Sequence, residues 1–323
     1  MTDGEGPILS IVVPIKDEIE TLPELWRRLA SILSGDLAES EVVFVDDGSR
    51  DGSREWLVER HAEDPRARLV VLSRNFGHQA AVTAGLAHAS GAAVVLMDGD
   101  LQDPPEMIPR LVDAWREGAE VVHTVKRSRK EPWHRRIAFG LFHRSIRALS
   151  RTELPNQAGI FSLLDRRAAD HLLALPERNR YLAGLRSWVG FEQTTVAYDR
   201  DPRYAGRPRQ SLGRLLRLAL DGVFSFSRLP LRFATIFGVA VSVSAFLLVA
   251  TVIYLKLFTD RAILGWASLM SATLFLGGVL LLTIGIIGEY VGRIYDEVKR
   301  RPLYIVAERF GVERESRPLD RRL

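Results

Sequence analysis

The sequence predicts an α/β domain with a mostly parallel sheet, followed by two transmembrane helices. From about residue 8 to residue 126, short β-branched runs alternate with segments of helical periodicity. Runs that are apolar on both faces and alternate with helices indicate a parallel sheet covered on both sides. Farther along, residues 233–255 and 267–288 carry no charge. Each run is long enough, at about 1.5 Å per residue, to cross a hydrocarbon core of about 30 Å.

The soluble part contains five strand candidates and four helix candidates. In chain order the strand candidates read ILSIVV, EVVFVD, RLVVLS, AAVVLM and EVVHTV. The helix candidates are Leu22–Ile32, Ser53–Arg60, Gln79–Ala89 and Met107–Glu117. We expect the whole domain to occupy residues 1–210.

Two long apolar runs in tandem favour a transmembrane hairpin, although a pair of buried helices in a soluble domain is the alternative. Basic residues flank the runs on their outer sides, at Arg228, Arg232, Arg293 and Lys299–Arg301, whereas the intervening loop has only Lys256 and Arg261. By the positive-inside rule, both termini are expected on the cytoplasmic side of the cytoplasmic membrane. We assign residues 232–292 to the hairpin and 293–323 to a cytoplasmic tail, loosely ordered after Arg301.

Two segments, residues 133–149 and 212–226, have apolar residues on one face and arginines on another. Such a helix is typical either of a surface helix over a core or of a helix that lies on an anionic membrane surface. The two downstream spans favour the membrane surface. We therefore assign residues 211–231 to a juxtamembrane amphipathic helix.

Composition excludes several classes of function. The 44 Lys and Arg residues against 40 Asp and Glu leave a net charge of +4, which is too mild to indicate nucleic-acid binding. There is no cysteine, so no disulfide and no thiolate metal site is possible. The sequence contains no glycine-rich phosphate loop. His78, His88 and His123 lack metal-ligand spacing, and we interpret them as surface residues or as residues that contact the side chains of a site without being metal ligands.

Carboxylates follow the predicted strands at the points where the strands end. Pro14, Asp46, Asp47, Asp98 and Asp100 all lie at such ends. In parallel sheets, ligands bind beyond the carboxyl ends of the strands. The stretch around Asp47, VDDGSRDGS, is also ordinary turn chemistry, so a simple turn is its alternative interpretation.

A hairpin turn is a weak explanation for Asp98 and Asp100, because two carboxylates at the mouth of a buried strand repel each other unless a cation lies between them. Hard oxygen ligands suit Mg²⁺ or Mn²⁺, which typically bind one or two carboxylates and the oxygens of a diphosphate. Gln102 is expected to supply a third oxygen. Asp103, which precedes two prolines, is interpreted as a helix N-cap.

With these residues placed, the chain resembles the family 2 glycosyltransferases with the A-type fold, and among them the polyprenyl-phosphate sugar transferases. The matching stretches are IVVPIKDE, VVFVDDGSRDGS, LSRNFGHQAAVTAGLAHASG, VVLMDGDLQDPPE, LPERNRYLAGLRSWVGF and LALDGVFSFSRLPLR. The resemblance implies metal-dependent, inverting transfer of a sugar from a nucleotide sugar, with UDP-glucose as an example, to polyprenyl phosphate at the membrane. It also allows a homo-oligomer.

The resemblance also implies roles for individual residues. Pro14, Glu18 and Asp47 would contact the nucleoside, and Asp98, Gly99, Asp100 and Gln102 would surround the metal and the diphosphate. Basic residues Lys126 and Arg129 would lie near the acceptor phosphate. A loop with Arg203, Gly206 and Arg209 would close over the donor diphosphate.

Two departures from the family pattern matter. The aromatic-Asn-Glu that usually follows the first strand reads Lys16-Asp17-Glu18, and Ile160 and Ser162 stand where many relatives have Asp and Arg. That Asp is often proposed as a catalytic base. Ile160 therefore leaves open an inactive membrane scaffold or lipid-binding module. A processive polysaccharide synthase is disfavoured, because the sequence has no Gln-x-x-Arg-Trp motif.

Overall fold

The computed structural model describes residues 7–126, 159–178, 180–199, 229–258 and 265–312. These residues fall into two compact units. The first comprises the described residues up to 199 together with residues 301–312, and the second comprises 229–258 and 265–300.

The first unit is an eight-stranded sheet with helices on its faces. Its strands are β1 Leu9–Ile15, β2 Glu41–Asp46, β3 Ala67–Leu72, β4 Ala93–Leu96, β5 Val121–Lys126, β6 Ser162–Asp165, β7 Gln193–Tyr198 and β8 Val306–Phe310. Its helices are α1 Leu22–Ile32, α2 Ser53–Glu63, α3 His78–His88, α4 Ile108–Arg116, α5 Arg166–Ala174 and α6 Leu182–Trp188, and two short 3₁₀ turns span Gly35–Leu37 and Pro105–Met107. All five predicted strands and all four predicted helices are confirmed.

The strand order is β7-β5-β6-β4-β1-β2-β3-β8. Strand β1 pairs in parallel with β2 on one side and with β4 on the other, so the chain reverses its direction of travel across the sheet between β1 and β4. A crevice outside the carboxyl ends of strands forms at such a switch point, and it is where open α/β sheets bind ligands. Strand β6 runs antiparallel to both of its neighbours, β4 and β5.

The central strands are buried on both faces, as their apolar sequences predict. Every residue of β2 and β4 is buried, and in β1 only Pro14 is partly exposed. Helix α3 lies against β1 and β2 at very close range. A Cβ atom on Gly85 would come within 2.3 Å of Val12 Cγ1 and 2.9 Å of Val45 Cγ2, so this helix has no room to shift towards the sheet.

The expectation of a loosely ordered segment after Arg301 is wrong for residues 306–310. These residues form β8, which pairs antiparallel with β3 at the edge of the sheet. Arg54 reaches Glu308 at 2.7 Å, and Arg309 Nε donates to His88 Nε2 at 3.2 Å. The edge of β3 is thereby covered by a strand of opposite direction, and β8 becomes the outermost strand on this side of the sheet.

The second unit contains two long helices, α7 Leu229–Phe258 and α8 Trp266–Val298. Within them, residues 234–255 and 268–298 are long and apolar enough to cross a membrane, and neither stretch is buried in protein. The two predicted spans lie inside these helices. A helix that is apolar all round and not covered by protein suits a lipid environment.

Candidate functional site

The predicted ligand-binding edge forms where β1, β2 and β4 end. Backbone hydrogen bonds between neighbouring strands continue beyond the strand ends. Asp47 N–H donates to Ile15 O at 2.9 Å, and Met97 N–H donates to Val12 O at 3.1 Å. The segments that follow the three strands are therefore held side by side. Pro14, Asp47 and Asp98 lie within this edge, at the switch point of the sheet.

The turn at Asp98-Gly99-Asp100 is packed onto the end of β1. A Cβ atom on Gly99 would come within 2.7 Å of Ile15 Cδ1, so glycine allows the turn its close approach. Leu101 then adopts a left-handed backbone with φ of 58° although its side chain is buried. Such a conformation costs a non-glycine residue about 1–2 kcal/mol and persists only where its surroundings enforce it.

The chemistry of this turn fits a hard divalent cation. The Asp98 side chain is 31% exposed, and Asp100 Oδ1 accepts a hydrogen bond from the Gln102 backbone N–H at 3.1 Å. The described residues contain no group of three or more His, Asp or Glu side chains arranged for a metal. The set available here is two carboxylates and an amide, which matches an ion that takes its remaining oxygens from a diphosphate or water.

His78 contacts this turn, which agrees with its interpretation as a residue that supports the site without being a metal ligand, although the sequence did not predict Asp98 as its partner. Its Nε2 lies 2.9 Å from Asp98 Oδ1, a hydrogen-bonding distance. Partial burial lowers the pKa of the His78 imidazole, and the nearby Asp100 carboxylate opposes this by raising it. A neutral imidazole donates to Asp98 through Nε2–H. The available signal was position, because His78 begins the helix after β3 at the same edge of the sheet.

The other two histidines are buried, so the prediction of a surface position is wrong for both. His88 is buried at the end of α3, where Nδ1 lies 2.8 Å from Ala84 O. His123 is fully buried in β5.

Asp47 is buried and binds the backbone of the loop before α3. Its two oxygens accept hydrogen bonds from Phe76 N–H at 2.7 Å and Gly77 N–H at 3.0 Å. Burial raises the pKa of the Asp47 carboxyl, and the two backbone bonds oppose that rise. Only 4% of the residue is exposed, so its contact with a nucleoside stays a prediction.

The loops after β1 and β2 are tied together by hydrogen bonds. Lys16 Nζ donates to Gly48 O at 2.7 Å, and Asp17 accepts from Arg50 N–H at 2.8 Å. Glu18 N–H donates to Ser53 Oγ at 3.0 Å. Asp17, which replaces the usual Asn of the family pattern, has a left-handed backbone conformation with φ of 55°.

Asp103 is not the predicted N-cap. The following 3₁₀ turn begins at Pro105 with Pro104 as its cap residue. Asp103 is buried instead, and it accepts a hydrogen bond from Tyr198 Oη at 2.5 Å. This contact joins the segment after the Asp98 turn to β7, which is distant in sequence, and it was not predicted.

The remaining predicted residues divide between the described and undescribed parts of the chain. Lys126 ends β5, which runs in the same direction as β4, so it lies at the same edge as the Asp98 turn. Arg129, Arg203, Gly206 and Arg209 lie outside the described residues.

A buried arginine holds the segment that contains Ile160. Arg186 is fully buried, and its guanidinium donates to Ile160 O at 2.7 Å, to Gly159 O at 2.5 Å and to Ser162 Oγ. Burial lowers the pKa of Arg186 to about 10, so it remains charged at neutral pH. Ser162 pairs with Leu96 at the end of β4, so this cation fixes the backbone beside the Asp98 turn.

Comparison with known proteins gives the following similarities. The model of the family described as Glycosyl transferase family 2 matches residues 10–173. A Bacillus subtilis (strain 168) protein named Uncharacterized glycosyltransferase YkcC is 45% identical over 305 residues, 94% of each chain. The SfII prophage-derived bactoprenol glucosyl transferase of Shigella flexneri is 38% identical over 299 residues, 92% of this chain and 97% of that relative.

Among solved structures, glucosyl-3-phosphoglycerate synthase from Mycobacterium tuberculosis is similar at 24% identity with a TM-score of 0.48, over 69% of this chain and 80% of that one. A likeness this distant carries no argument about substrates. The family match and the observed sheet together confirm the predicted A-type glycosyltransferase fold.

Proposed function

Because the chain belongs to glycosyl transferase family 2 and is a glycosyltransferase, we propose that it transfers a sugar from a nucleotide sugar to polyprenyl phosphate at a membrane surface. The observation that carries the donor side is the pair of carboxylates, Asp98 and Asp100, at the switch point of the sheet. The acceptor is supported by relatives named bactoprenol glucosyl transferases, which match nearly the whole chain, and by the two apolar helices. Membership in a family of glycosyltransferases disfavours the inactive scaffold that Ile160 had left open.

The proposed reaction is a single displacement with inversion. The acceptor phosphate oxygen attacks the anomeric carbon, a new carbon–oxygen bond forms, and the bond to the nucleoside diphosphate breaks. UDP-glucose is the proposed donor. Asp98, Asp100 and Gln102 would hold Mg²⁺ or Mn²⁺, which when bound neutralises charge on the leaving diphosphate.

The chain's other residues would bind and orient the two substrates. Pro14, Glu18 and Asp47 are proposed for the nucleoside, and Gly99 is proposed to lie beside the diphosphate. Lys126 and Arg129 are proposed for the acceptor phosphate. We propose that Arg203, Gly206 and Arg209 act on the donor diphosphate.

The reaction does not need a side-chain base at position 160. A phosphate monoester has a second pKa near 6, so the acceptor is mostly a dianion at neutral pH. Such a nucleophile needs alignment and charge compensation more than removal of a proton. We therefore expect activity to fall as the pH drops through roughly 6, and Ile160→Asp to raise the rate only modestly or to lower it. A gain of several hundred-fold in that variant would show that the native chain lacks a required base.

The direct test incubates the purified full-length protein with undecaprenyl phosphate, Mg²⁺ and a panel of radiolabelled nucleotide sugars, followed by lipid extraction. One donor, expected to be UDP-glucose, should label the lipid fraction. Asp100→Asn should reduce transfer at least about 100-fold, because an amide is a poorer ligand for a hard cation than a carboxylate. Asp113→Asn, an exposed change on α4, is the matched control and should retain activity. Metal-dependent turnover that is unchanged in Asp100→Asn would refute the proposed role of the turn.

A further inference from the structure

Asp98 is bound by a side chain that is held in place independently of the Asp98 turn. His78 Nε2 lies 2.9 Å from Asp98 Oδ1, and Asp100 is close enough to affect the same imidazole electrostatically. Carboxylates that bind metals are typically hydrogen-bonded in turn, and those outer partners set the direction of the lone pairs. An N–H at Oδ1 restricts the rotation of the Asp98 carboxylate, which is the contribution that such an outer partner makes to a metal ligand.

The backbone around His78 is held at both ends. On its N-terminal side, Gly77 has φ of 97°, and the Asp47 carboxylate binds the N–H groups of Phe76 and Gly77. On its C-terminal side, helix α3 is pressed against the sheet at Gly85, where no Cβ atom fits. The backbone that carries the His78 imidazole is therefore held in place, and its position depends on the hydrogen bonds of Asp47.

We propose that His78 is a positioning residue that orients Asp98 for the divalent cation, and that Asp47, the Phe76-Gly77 backbone and His78 form one mechanical link to that carboxylate. The link joins the end of the site proposed for the nucleoside to the end proposed for the metal. It rests on the proposed function only in taking Asp98 as a metal ligand. It assigns His78 no direct contact with the sugar or the diphosphate.

The test measures Mn²⁺ affinity rather than turnover. Purified full-length protein in detergent micelles, without nucleotide, is titrated with Mn²⁺, and the free ion is followed by its electron paramagnetic resonance signal. His78→Leu removes the donor at similar volume and should weaken Mn²⁺ binding about 10- to 100-fold. His78→Gln keeps an N–H donor and should stay within a few-fold of the native affinity. His171→Leu, on the surface of α5, is the control for loss of a histidine elsewhere, and this variant should bind Mn²⁺ with the native affinity.

The mechanical link is tested by a double-mutant cycle. Asp47→Asn turns an amide N–H group towards the loop backbone and should weaken Mn²⁺ binding although Asp47 is no ligand in this scheme. If His78 transmits the effect, Asp47→Asn combined with His78→Leu should bind Mn²⁺ no more weakly than His78→Leu alone. Additive losses would refute the link, and native Mn²⁺ affinity in His78→Leu would refute the positioning role.

These outcomes separate the inference from the proposed function. If the native protein binds no Mn²⁺, the metal role of Asp98 fails and takes the inference with it. If it binds Mn²⁺ and His78→Leu binds equally well, only the inference fails. If His78→Leu loses Mn²⁺ while no nucleotide sugar supports transfer to the lipid, the inference holds and the proposed reaction is wrong.

Discussion

A buried histidine predicts that the first unit loses stability in mild acid. His123 is fully buried in β5, and its Nε2 lies 3.0 Å from Gln193 Oε1. The Gln193 amide is oriented by its own N–H group, which donates to Ser187 O at 3.2 Å. Gln193 Oε1 therefore accepts, Nε2 carries the proton, and Nδ1 has no partner among the described residues. Burial, followed by the charge of Arg186, lowers the pKa of His123 from 6.5 to about 4.

The sign and size of the effect follow from linkage. The unfolded chain takes up a proton on His123 near pH 6.5, whereas the folded chain takes it up only near pH 4. The stabilising contribution is thus fully present above about pH 6.5 and is lost as the pH falls towards 4. The loss amounts to about 2 kcal/mol between pH 7.5 and 5, and to about 3 kcal/mol below pH 4.

The assay is thermal unfolding of the full-length protein in detergent micelles, followed by tryptophan fluorescence at about pH 7.5 and pH 5. A contribution of about 2 kcal/mol corresponds to about 4–8 °C in the melting temperature of a unit of this size. His123→Gln keeps an N–H donor but does not titrate. Between pH 7.5 and pH 5, the melting temperature of the variant should therefore fall by about 4–8 °C less than that of the native protein. Equal falls in the native protein and the variant would refute the assignment of the proton to His123.

Three other predictions concern stability and topology. Arg186→Met should destabilise the protein by about 1–3 kcal/mol in urea unfolding, because it leaves buried carbonyl groups without their donor. Glu308→Arg should make β8 easier to cleave in limited proteolysis, because it places two arginines side by side. The exchanged pair, Arg54→Glu with Glu308→Arg, should restore protection. The effect should be small, since an exposed ion pair contributes at most about 1 kcal/mol. A reporter fused after Leu323 should read cytoplasmic and a cysteine at Thr259 should label from outside. The hairpin would be refuted if the reporter and the cysteine reported the same side of the membrane.

The sequence predicted the strands and helices of the first 126 residues because their signals are local. A short apolar run bounded by turn residues, such as EVVFVD, is recognisable as a strand from its own residues, without knowledge of the strand it pairs with. The carboxyl ends of those strands also gave the location of the site, since parallel strands end at a common edge. Elements that depend on pairing across the chain were missed. Strand β8 reads as a charged tail in sequence, and only its partner β3 makes it a strand.

The candidate site was predicted in part for the same reason. Asp98 and Asp100 were predicted as site residues because they follow a buried strand, where charge requires an explanation. The contacts of His78 with Asp98 at 2.9 Å and of Arg186 with Ile160 O at 2.7 Å were not predicted, because each joins residues that are distant in sequence. Asp103 was misinterpreted because its local context, two following prolines, is typical of a helix start. Its partner, the Tyr198 hydroxyl, is 95 residues away.

The acidic residues at this edge differ in burial and in the groups that they contact within the protein. Asp47 and Asp103 are buried, and their carboxylates bind backbone N–H groups or a hydroxyl that hold loops together. Asp98 remains 31% exposed, and its Oδ1 lies 2.9 Å from His78 Nε2. A partly exposed carboxylate is accessible to an ion, whereas the Asp47 carboxylate is buried and accepts a backbone N–H on each of its two oxygens. Sequence alone shows equal negative charge at all these positions, and burial together with hydrogen bonding distinguishes Asp98, which we propose as a metal ligand, from Asp47 and Asp103.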